Sequence, residues 1–257
     1  MSDPTAVAAS PPLVVYGTFG AWGMPTVSPF VLKLLTWLRM AGLPHEYRGG
    51  NPFRAPKGKV PYIELDGRKM GDSQLIIEAL SARHDIRLDD HLTPEKRATG
   101  HALRRMMEEA TYFHSVRFRW LEEDGWPAQV AAFSPHMPPL VGPLLLRRIR
   151  SQLRKANWLQ GSGRHDRGTA SAQVIADVAA VRDLLVGPYL FGEEPSSFDA
   201  TVSSFLWQLQ DYPVDTPQKQ AASDQKLLSY VDGMRRRYYP ELSSRSSSPP
   251  SEIASTP

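Results

Sequence analysis

One run of residues, at positions 57–80, constrains the fold more than any other part of this chain. Residues 60–65 are β-rich, and Asp66-Gly67 follows them, a pair typical of a two-residue hairpin because that turn needs positive φ angles. Ser73 stands at a helix N-cap position, directly before apolar residues at helical spacing. The run therefore predicts a strand, a tight turn, a second strand and a capped helix.

Pro61 opens the first of these strands and has no amide hydrogen to donate to a neighbouring strand. We therefore expect this strand to lie at an edge of its sheet, beside the N-terminus of the helix that Ser73 caps. A strand edge can accept an extended peptide, and the positive end of a helix can accept a carboxylate. The run thus predicts a site for an extended ligand that carries a carboxylate.

The composition limits the chemistry of such a site. The 257 residues include no cysteine, which excludes disulfides, thiolate metal sites and a cysteine nucleophile, so any thiol must arrive with the ligand. A net charge of +3 suits anionic ligands but is too small to indicate nucleic acid. No apolar run reaches the roughly 18 residues that span a bilayer, and the start lacks a signal-peptide pattern. We expect a cytoplasmic protein without a metal cofactor.

The first part of the chain predicts alternating strands and helices. Residues 13–18 form the first expected strand, and Ser28-Pro29 supply an N-cap and a first-turn proline for a helix that ends at Gly42. Residues 45–48 form a second expected strand, before the loop that leads to the hairpin. Strand, helix, strand, hairpin and helix, in this order, make up the thioredoxin-like arrangement.

After residue 88 the spacing of apolar residues becomes helical. Ser196 and Asp199 have the spacing of a capping box, which marks the start of one helix. The expected helices cover residues 93–123, 140–158, 169–186, 196–210 and 218–238, with a helix stop at 125–127. The sequence predicts an α/β unit followed by an all-α unit, with a disordered N-terminus at 1–12, a thioredoxin-like domain at 13–84, a linker at 85–91, a helical domain at 92–240 and a disordered Ser/Pro-rich tail at 241–257.

In order, these motifs resemble those of the glutathione S-transferase superfamily, and more narrowly its failed-axon-connections (Fax) and metaxin-like branch. The matching segments are residues 28–33, 37–42, 58–64, 72–73, 160–165 and 191–202, within a resemblance that spans about 13–240. The resemblance implies a glutathione-binding thioredoxin-like domain, a helical-bundle C-terminal domain, and a homodimer. Many relatives carry a cysteine where this chain has Val31, so we expect no cysteine-dependent reductase activity.

The resemblance implies a glutathione-binding set made of Lys59, Val60, Pro61, Asp72 and Ser73. Val60 would precede a cis proline and pair its backbone with the cysteinyl unit, while Asp72 and Ser73 would hold the γ-glutamyl group. The alternatives are an ordinary trans proline at a strand edge and a serine that only caps its own helix.

Ser28 is the candidate for activating the thiol, because a helix N-terminus and a hydroxyl donor both favour a thiolate. The alternative is that Ser28 is only an N-cap. Tyr16 and Thr18, at the end of the first strand, are further candidate donors to the sulfur.

Five residues are candidates for the substrate pocket. Arg105, Tyr112 and His114 belong to the first helix after residue 92, and Arg164 and His165 lie in a glycine-rich break between two helices. The alternative is that the first three are core or interface residues and that the last two belong to a solvated loop.

Two functions remain open at this point. The first is a transferase that presents the glutathione thiolate to a hydrophobic electrophile, by conjugation or by glutathione-dependent isomerisation, ether cleavage or halide cleavage. The second is a non-catalytic binding or scaffold protein of metaxin type on the same fold. Intact Val60-Pro61 and Asp72-Ser73 favour the transferase, because a scaffold does not need them.

Overall fold

Four short strands form a single mixed sheet in the computed structural model, which describes residues 13–243. The order across the sheet is β2-β1-β3-β4, where β1 runs parallel to β2 and antiparallel to β3, and β3 runs antiparallel to β4. The strands and their two helices are β1 (Leu13–Gly17), α1 (Pro29–Met40), β2 (His45–Gly49), β3 (Tyr62–Leu65), β4 (Arg68–Gly71) and α2 (Ser73–His84).

Apolar side chains explain why both helices lie on one face of this sheet. Val15 of β1 and Ile63 of β3 are directly paired and fully buried, and they share a core with Val31 and Leu34 of α1 and Ile76 of α2. The hairpin between β3 and β4 turns as predicted, since Asp66 and Gly67 have φ angles of 52° and 72°.

The expectation that the Pro61 strand lies at a sheet edge is wrong. β3 lies between β1 and β4, with Tyr62 paired to Tyr16 on one side and to Gly71 on the other. Pro61 precedes the first paired residue, so its missing amide hydrogen removes no bond from the ladder. Val60, just before Pro61, lies outside the strand, and its main-chain N–H and C=O form no backbone hydrogen bond within residues 13–243.

The second part of the described chain is helical. Its helices are α3 (Pro94–Met106), α4 (Tyr112–Val116), α5 (Trp126–Phe133), α6 (Gly142–Gln160), α7 (Arg167–Leu184), α8 (Ser197–Gln210), α9 (Pro217–Ala222), α10 (Gln225–Tyr238) and α11 (Pro240–Ser243). π-helical turns at Met107–Thr111 and Arg117–Leu121 join α3 to α4 and extend α4. No helix within residues 13–243 has the length and apolarity needed to cross a bilayer.

Three helix predictions need correction. The long helix does end before 125–127, at Leu121, but a new helix, α5, begins at Trp126, because Pro127 lies in its first turn, where a missing amide hydrogen is tolerated. The helix expected at 218–238 is two helices, since the Asp224 side chain accepts from the Lys226 amide and starts α10 anew. Residues 241–243 of the expected tail belong to α11, while residues 1–12 and 244–257 lie outside the described residues.

Helix α8 is the centre of the helical part and is buried along nearly its whole length. The predicted capping box of Ser196 and Asp199 is confirmed at its start. One Asp199 carboxylate oxygen accepts from the Ser196 amide and hydroxyl, both at 2.8 Å, and the other accepts from the Leu190 amide and the Tyr230 hydroxyl, both at 2.9 Å. This buried carboxylate therefore ties three segments together.

A buried ion pair and α1–α8 packing join the sheet to the helical part. The Lys33 side chain on α1 is only 1% exposed, and its Nζ donates to Gln74 Oε1 at 2.7 Å and to Glu108 Oε1 at 2.6 Å. The other Glu108 oxygen accepts from Arg104 at 3.0 Å. Burial lowers the pKa of Lys33, and the neighbouring Glu108 opposes that shift. The pair thus fixes the starts of α1 and α2 against the long helix that α3 begins.

Replacing Asp199 with alanine is expected to lower the free energy of unfolding by roughly 3 kcal/mol, because four buried donors lose their acceptor. Denaturant titration measures the change. Asp183→Ala is the control, since that carboxylate is 66% exposed, and it should change stability by less than about 0.5 kcal/mol. Equal effects of the two substitutions would contradict the role given to Asp199.

Replacing Lys33 with methionine is expected to lower the unfolding free energy by about 3 kcal/mol, because Glu108 would keep only one of its two cationic partners in a buried place. The matched control is Arg105→Met, which removes an exposed pair with Glu109 and should have an effect below about 0.5 kcal/mol. A Lys33 variant as stable as this control would show that the buried pair does not join the two parts.

Candidate functional site

The loop between β1 and α1 places Ser28 at a helix N-terminus. Its Oγ accepts from the Val31 amide at 3.4 Å, so Ser28 is the N-cap of α1, as predicted. Its amide donates to Thr26 Oγ1 at 3.3 Å, and Thr26 and Thr18 share a hydroxyl–hydroxyl hydrogen bond of 2.6 Å. No described residue accepts from the Ser28 hydroxyl, so the cap leaves that hydrogen available to a ligand.

The start of α2 differs from the prediction, because the N-cap is Asp72 and not Ser73. Asp72 Oδ1 accepts from the amides of Gln74 at 3.0 Å and Leu75 at 3.4 Å, and Ser73 is the first helical residue. Asp72 has a φ angle of 87°, which is uncommon for a residue with a side chain and marks a candidate functional position.

Ser73 is left with two unused donors. The residue is 4% exposed, yet neither its amide nor its hydroxyl has a hydrogen-bond partner among residues 13–243. Both groups lie at the positive end of α2, where the helix dipole favours a negative charge. The start of α2 therefore offers a ready-made place for a carboxylate.

The Val60–Pro61 peptide bond is cis, as the resemblance implied. Val60 keeps its main-chain groups unpaired within the described chain. Lys59 beside it is exposed and forms no ion pair with a described residue, whereas Lys57 pairs with Asp72 at 3.6 Å. The Lys59 ammonium, the unpaired main chain of Val60 and the Asp72 carboxylate thus lie along this edge of the site.

Strand register brings these elements to one end of the sheet. Since Tyr62 pairs with Gly71, Val60-Pro61 and Asp72-Ser73 leave the hairpin at the same end. Since Tyr62 also pairs with Tyr16, the end of β1 that leads to Ser28 lies there as well. The structure therefore brings together six of the predicted residues: Ser28, Lys59, Val60, Pro61, Asp72 and Ser73.

Tyr16 and Thr18 are not placed equally well. Gly17 faces Val31 of α1, so Tyr16, the preceding residue of β1, lies on the opposite face of the sheet, where its ring stacks on Tyr62 at 4.7 Å. The Thr18 hydroxyl is held by Thr26, and Tyr47 donates to the Thr18 carbonyl. Thr18 therefore holds the loop, and Tyr16 faces away from α1.

Among the five candidate pocket residues, Tyr112 contacts the first turn of α1. Its ring lies 4.9 Å from that of Phe30, two positions after Ser28. The Tyr112 hydroxyl has no hydrogen-bond partner among the described residues, and burial raises the pKa of Tyr112. The phenol therefore stays protonated at neutral pH and can donate a proton or a hydrogen bond.

The other four candidates lie elsewhere. Arg105 is exposed and pairs with Glu109 at 3.1 Å. His114 is buried beside His165, between α4 and the α6–α7 connection, and burial with nearby positive charge lowers its pKa. Arg164 is exposed and donates to the Trp158 carbonyl at 3.1 Å. The structure does not bring these side chains to the N-terminus of α1.

An aromatic wall over the Ser28 loop was missed in the sequence. Phe19 stacks on His136 at 3.8 Å and meets Phe133 edge-on at 4.7 Å, and Phe133 also meets Trp120 at 4.8 Å. This wall depends on α5 and the turn that follows it. The signal that could have found it was Pro127 at a first-turn position. The wall gives the loop an apolar side.

Within residues 13–243 no group of three or more histidine, aspartate or glutamate side chains is arranged to hold a metal ion. The donors that the site does present are hydroxyls, main-chain amides and one free ammonium. These groups suit an anionic, peptide-like ligand with a carboxylate at each end.

Comparison with known proteins agrees with this geometry. Residues 29–125 match the glutathione S-transferase N-terminal domain, and residues 174–234 match the glutathione S-transferase C-terminal domain. The chain is 30% identical over 240 residues to isoprene-epoxide–glutathione S-transferase from Rhodococcus sp. (strain AD45), an alignment that covers 88% of this chain and 99% of that protein.

Other relatives define the branch. Failed axon connections from Drosophila melanogaster is 29% identical over 237 residues, or 85% of this chain, although the chain spans only 56% of that protein. Metaxin-1 from Sus scrofa is 24% identical over 246 residues, covering 89% of this chain and 76% of that protein.

The fold has matches among solved structures. Glutathione transferase Omega 3C from Trametes versicolor superposes with a TM-score of 0.58 at 18% identity, covering 94% of this chain and 91% of that one. The sheet, the helical part and these similarities together show that the chain belongs to the glutathione S-transferase superfamily, within its branch related to Failed axon connections and metaxin.

Proposed function

We propose that this protein binds glutathione and presents its thiolate to a small, apolar electrophile. The observation that carries the proposal is the unused pair of donors on Ser73, next to the open main chain of Val60 at the same end of the sheet. These donors have no partner in the described chain, so both are available to a ligand at the start of α2.

Each end of the tripeptide finds a partner in the proposal. The Ser73 amide and hydroxyl take the γ-glutamyl carboxylate, and Asp72 Oδ2, which pairs with Lys57 at 3.6 Å, takes the ammonium of the same group in place of that lysine. Val60 pairs its main chain with the cysteinyl unit. Lys59, which has no ion-pair partner in the described chain, takes the glycyl carboxylate.

Ser28 and Tyr112 supply the chemistry in this proposal. Glutathione provides a thiolate that forms a sulfur–carbon bond with the electrophile. The Ser28 hydroxyl and the N-terminus of α1 stabilise the negative charge on sulfur. Tyr112 gives its proton to the oxygen released when a carbon–oxygen bond of the electrophile breaks.

The similarity to an isoprene-epoxide–glutathione S-transferase supports an epoxide as the electrophile. The apolar wall of Phe19, Phe133 and Trp120 suits a small hydrocarbon epoxide better than a charged substrate. The second candidate function is a non-catalytic binding protein, which the similarity to Failed axon connections and metaxin-1 favours. Turnover of an epoxide separates the two.

Isothermal titration calorimetry tests glutathione binding. We expect measurable binding below millimolar concentration, and Ser73→Ala should weaken it at least about tenfold, because a charge-assisted hydrogen bond contributes roughly 1.5–3 kcal/mol. Ser81→Ala, in the last turns of the same helix, is the control and should bind like the wild type. No binding of millimolar glutathione to the wild type would overturn the proposal.

Steady-state conjugation of glutathione to a small alkene epoxide tests the chemistry. We expect Tyr112→Phe to lower kcat by about 10²-fold, the size of a lost proton donor, and to leave glutathione affinity unchanged. Tyr189→Phe is the control, since that hydroxyl bonds only Arg237 on the helical surface. A Tyr112 variant with full kcat would remove Tyr112 from the mechanism, and a wild type that binds glutathione without turnover would favour the binding protein.

A further inference from the structure

Arg119 is a buried cation within the π-helical turn that extends α4. The residue is 5% exposed, and its guanidinium lies over the rings of Trp22 at 5.2 Å and Tyr212 at 5.1 Å. Its Nη1 donates to Gln208 Oε1 at 3.0 Å, and its Nε has no partner within the described chain. The charge therefore sits among aromatic rings and a single amide oxygen.

No carboxylate among residues 13–243 pairs with Arg119, although two nearby arginines have one. Arg117 pairs with Glu122 at 2.7 Å, and Arg150 pairs with Glu123 at 2.7 Å. Burial lowers the pKa of Arg119 to about 10, which leaves the guanidinium charged at neutral pH. A buried charge without a counter-ion is unfavourable for stability, so the fold gives no reason for it.

Hydrogen bonds and a ring contact connect Arg119 to the loop that contains Ser28. Gln208, which accepts from Arg119, donates through its Nε2 to the carbonyl oxygen of Thr26 at 2.8 Å. Thr26 Oγ1 accepts from the Ser28 amide, and Trp22 belongs to the same loop. The guanidinium thus meets the loop that holds the N-cap of α1 directly, at the Trp22 ring, and a second time through Gln208.

The tyrosines around this loop are neutral, and the charged groups Asp124 and Lys33 are already paired. Burial raises the pKa of the phenols that face it from β2, α4 and the segment after α8, so they stay protonated: Tyr47, Tyr112 and Tyr212. Asp124 near Tyr212 pairs with Arg167 at 2.6 Å, and Lys33 pairs with Glu108. His136 stacks on Phe19. Among these groups Arg119 carries the uncompensated charge.

We propose that Arg119 holds the sulfur of bound glutathione in its thiolate form through the field of this uncompensated charge. The inference rests on the proposed function. Arg119 touches neither the tripeptide nor the electrophile in this account, so it acts as a positioning residue behind the loop. The thiolate would be the missing counter-ion, and the low polarity of the surrounding rings would keep the attraction from being screened.

Ultraviolet titration of thiolate absorbance in the glutathione complex tests this inference. Arg119→Met should raise the pKa of the bound thiol by about one unit and lower the thiolate fraction at neutral pH, as expected for the loss of a nearby unit positive charge at an effective dielectric constant of about 20. Arg119→Lys keeps the charge and should titrate like the wild type. Arg117→Met removes a paired charge two positions earlier and is the control.

Two further measurements separate the field from a structural role. Affinity for S-methylglutathione, which has no ionisable thiol, should be the same in Arg119→Met and the wild type. The melting temperature of Arg119→Met should be equal to or above that of the wild type, because an unpaired buried charge has been removed. Arg119→Gln, which can still bond Gln208, is the second uncharged variant.

The outcomes are distinguishable from those of the proposed function. A wild type that binds no glutathione overturns the proposed function and this inference with it. A wild type that binds glutathione, with a thiol pKa unchanged in both uncharged variants, overturns the inference alone. Loss of folding in both uncharged variants also overturns it, since the charge would then serve the fold.

Discussion

The pairing of Tyr62 with Tyr16 on one side and with Gly71 on the other determines where every part of the candidate site lies. This register places the cis Val60–Pro61 bond, the start of α2 and the loop to α1 at one end of the sheet. A shift by one residue would turn Ile63 out of the core and separate these elements. The apolar side chains that bury the sheet thus also assemble the site.

Two buried cations, Lys33 and Arg119, have different surroundings. Lys33 has a carboxylate and an amide oxygen as partners, and it fixes the binding helices against the helical part. Arg119 has an amide oxygen and aromatic rings but no carboxylate in the described chain. The Lys33 pair holds α1 and α2 against the helical part. The unpaired charge of Arg119 is the source of the field that we propose acts at the Ser28 loop.

Much of this fold could be predicted from local signals, because they depend on residues adjacent in sequence. Asp66-Gly67 needs positive φ angles, and Ser28-Pro29 and the Ser196–Asp199 box satisfy helix amides within a few residues. The N-cap of α2 does not follow from the sequence, because Asp72 and Ser73 are both good caps, and only the backbone conformation of Asp72 decides between them.

The rest depends on contacts between distant segments. The place of β3 inside the sheet follows from which strands it meets, and a single strand pattern carries no such information. Arg119 looks like an ordinary arginine of a charged helix in the sequence, and its burial follows from Trp22, Gln208 and Tyr212, which are remote along the chain. Four of the five candidate pocket residues face away from α1 for the same reason, since helical spacing does not reveal a helix's neighbours.

The most direct measurement of the central claim is a two-dimensional amide NMR titration of the protein with glutathione. The proposed site predicts that the Ser73 and Val60 amides shift most, since the one meets the γ-glutamyl carboxylate and the other the cysteinyl main chain. Amides of α10, whose last residue meets Arg39 at the end of α1 opposite Ser28, should stay unchanged. Shifts confined to α10, or none at either Ser73 or Val60 at saturation, would contradict the account.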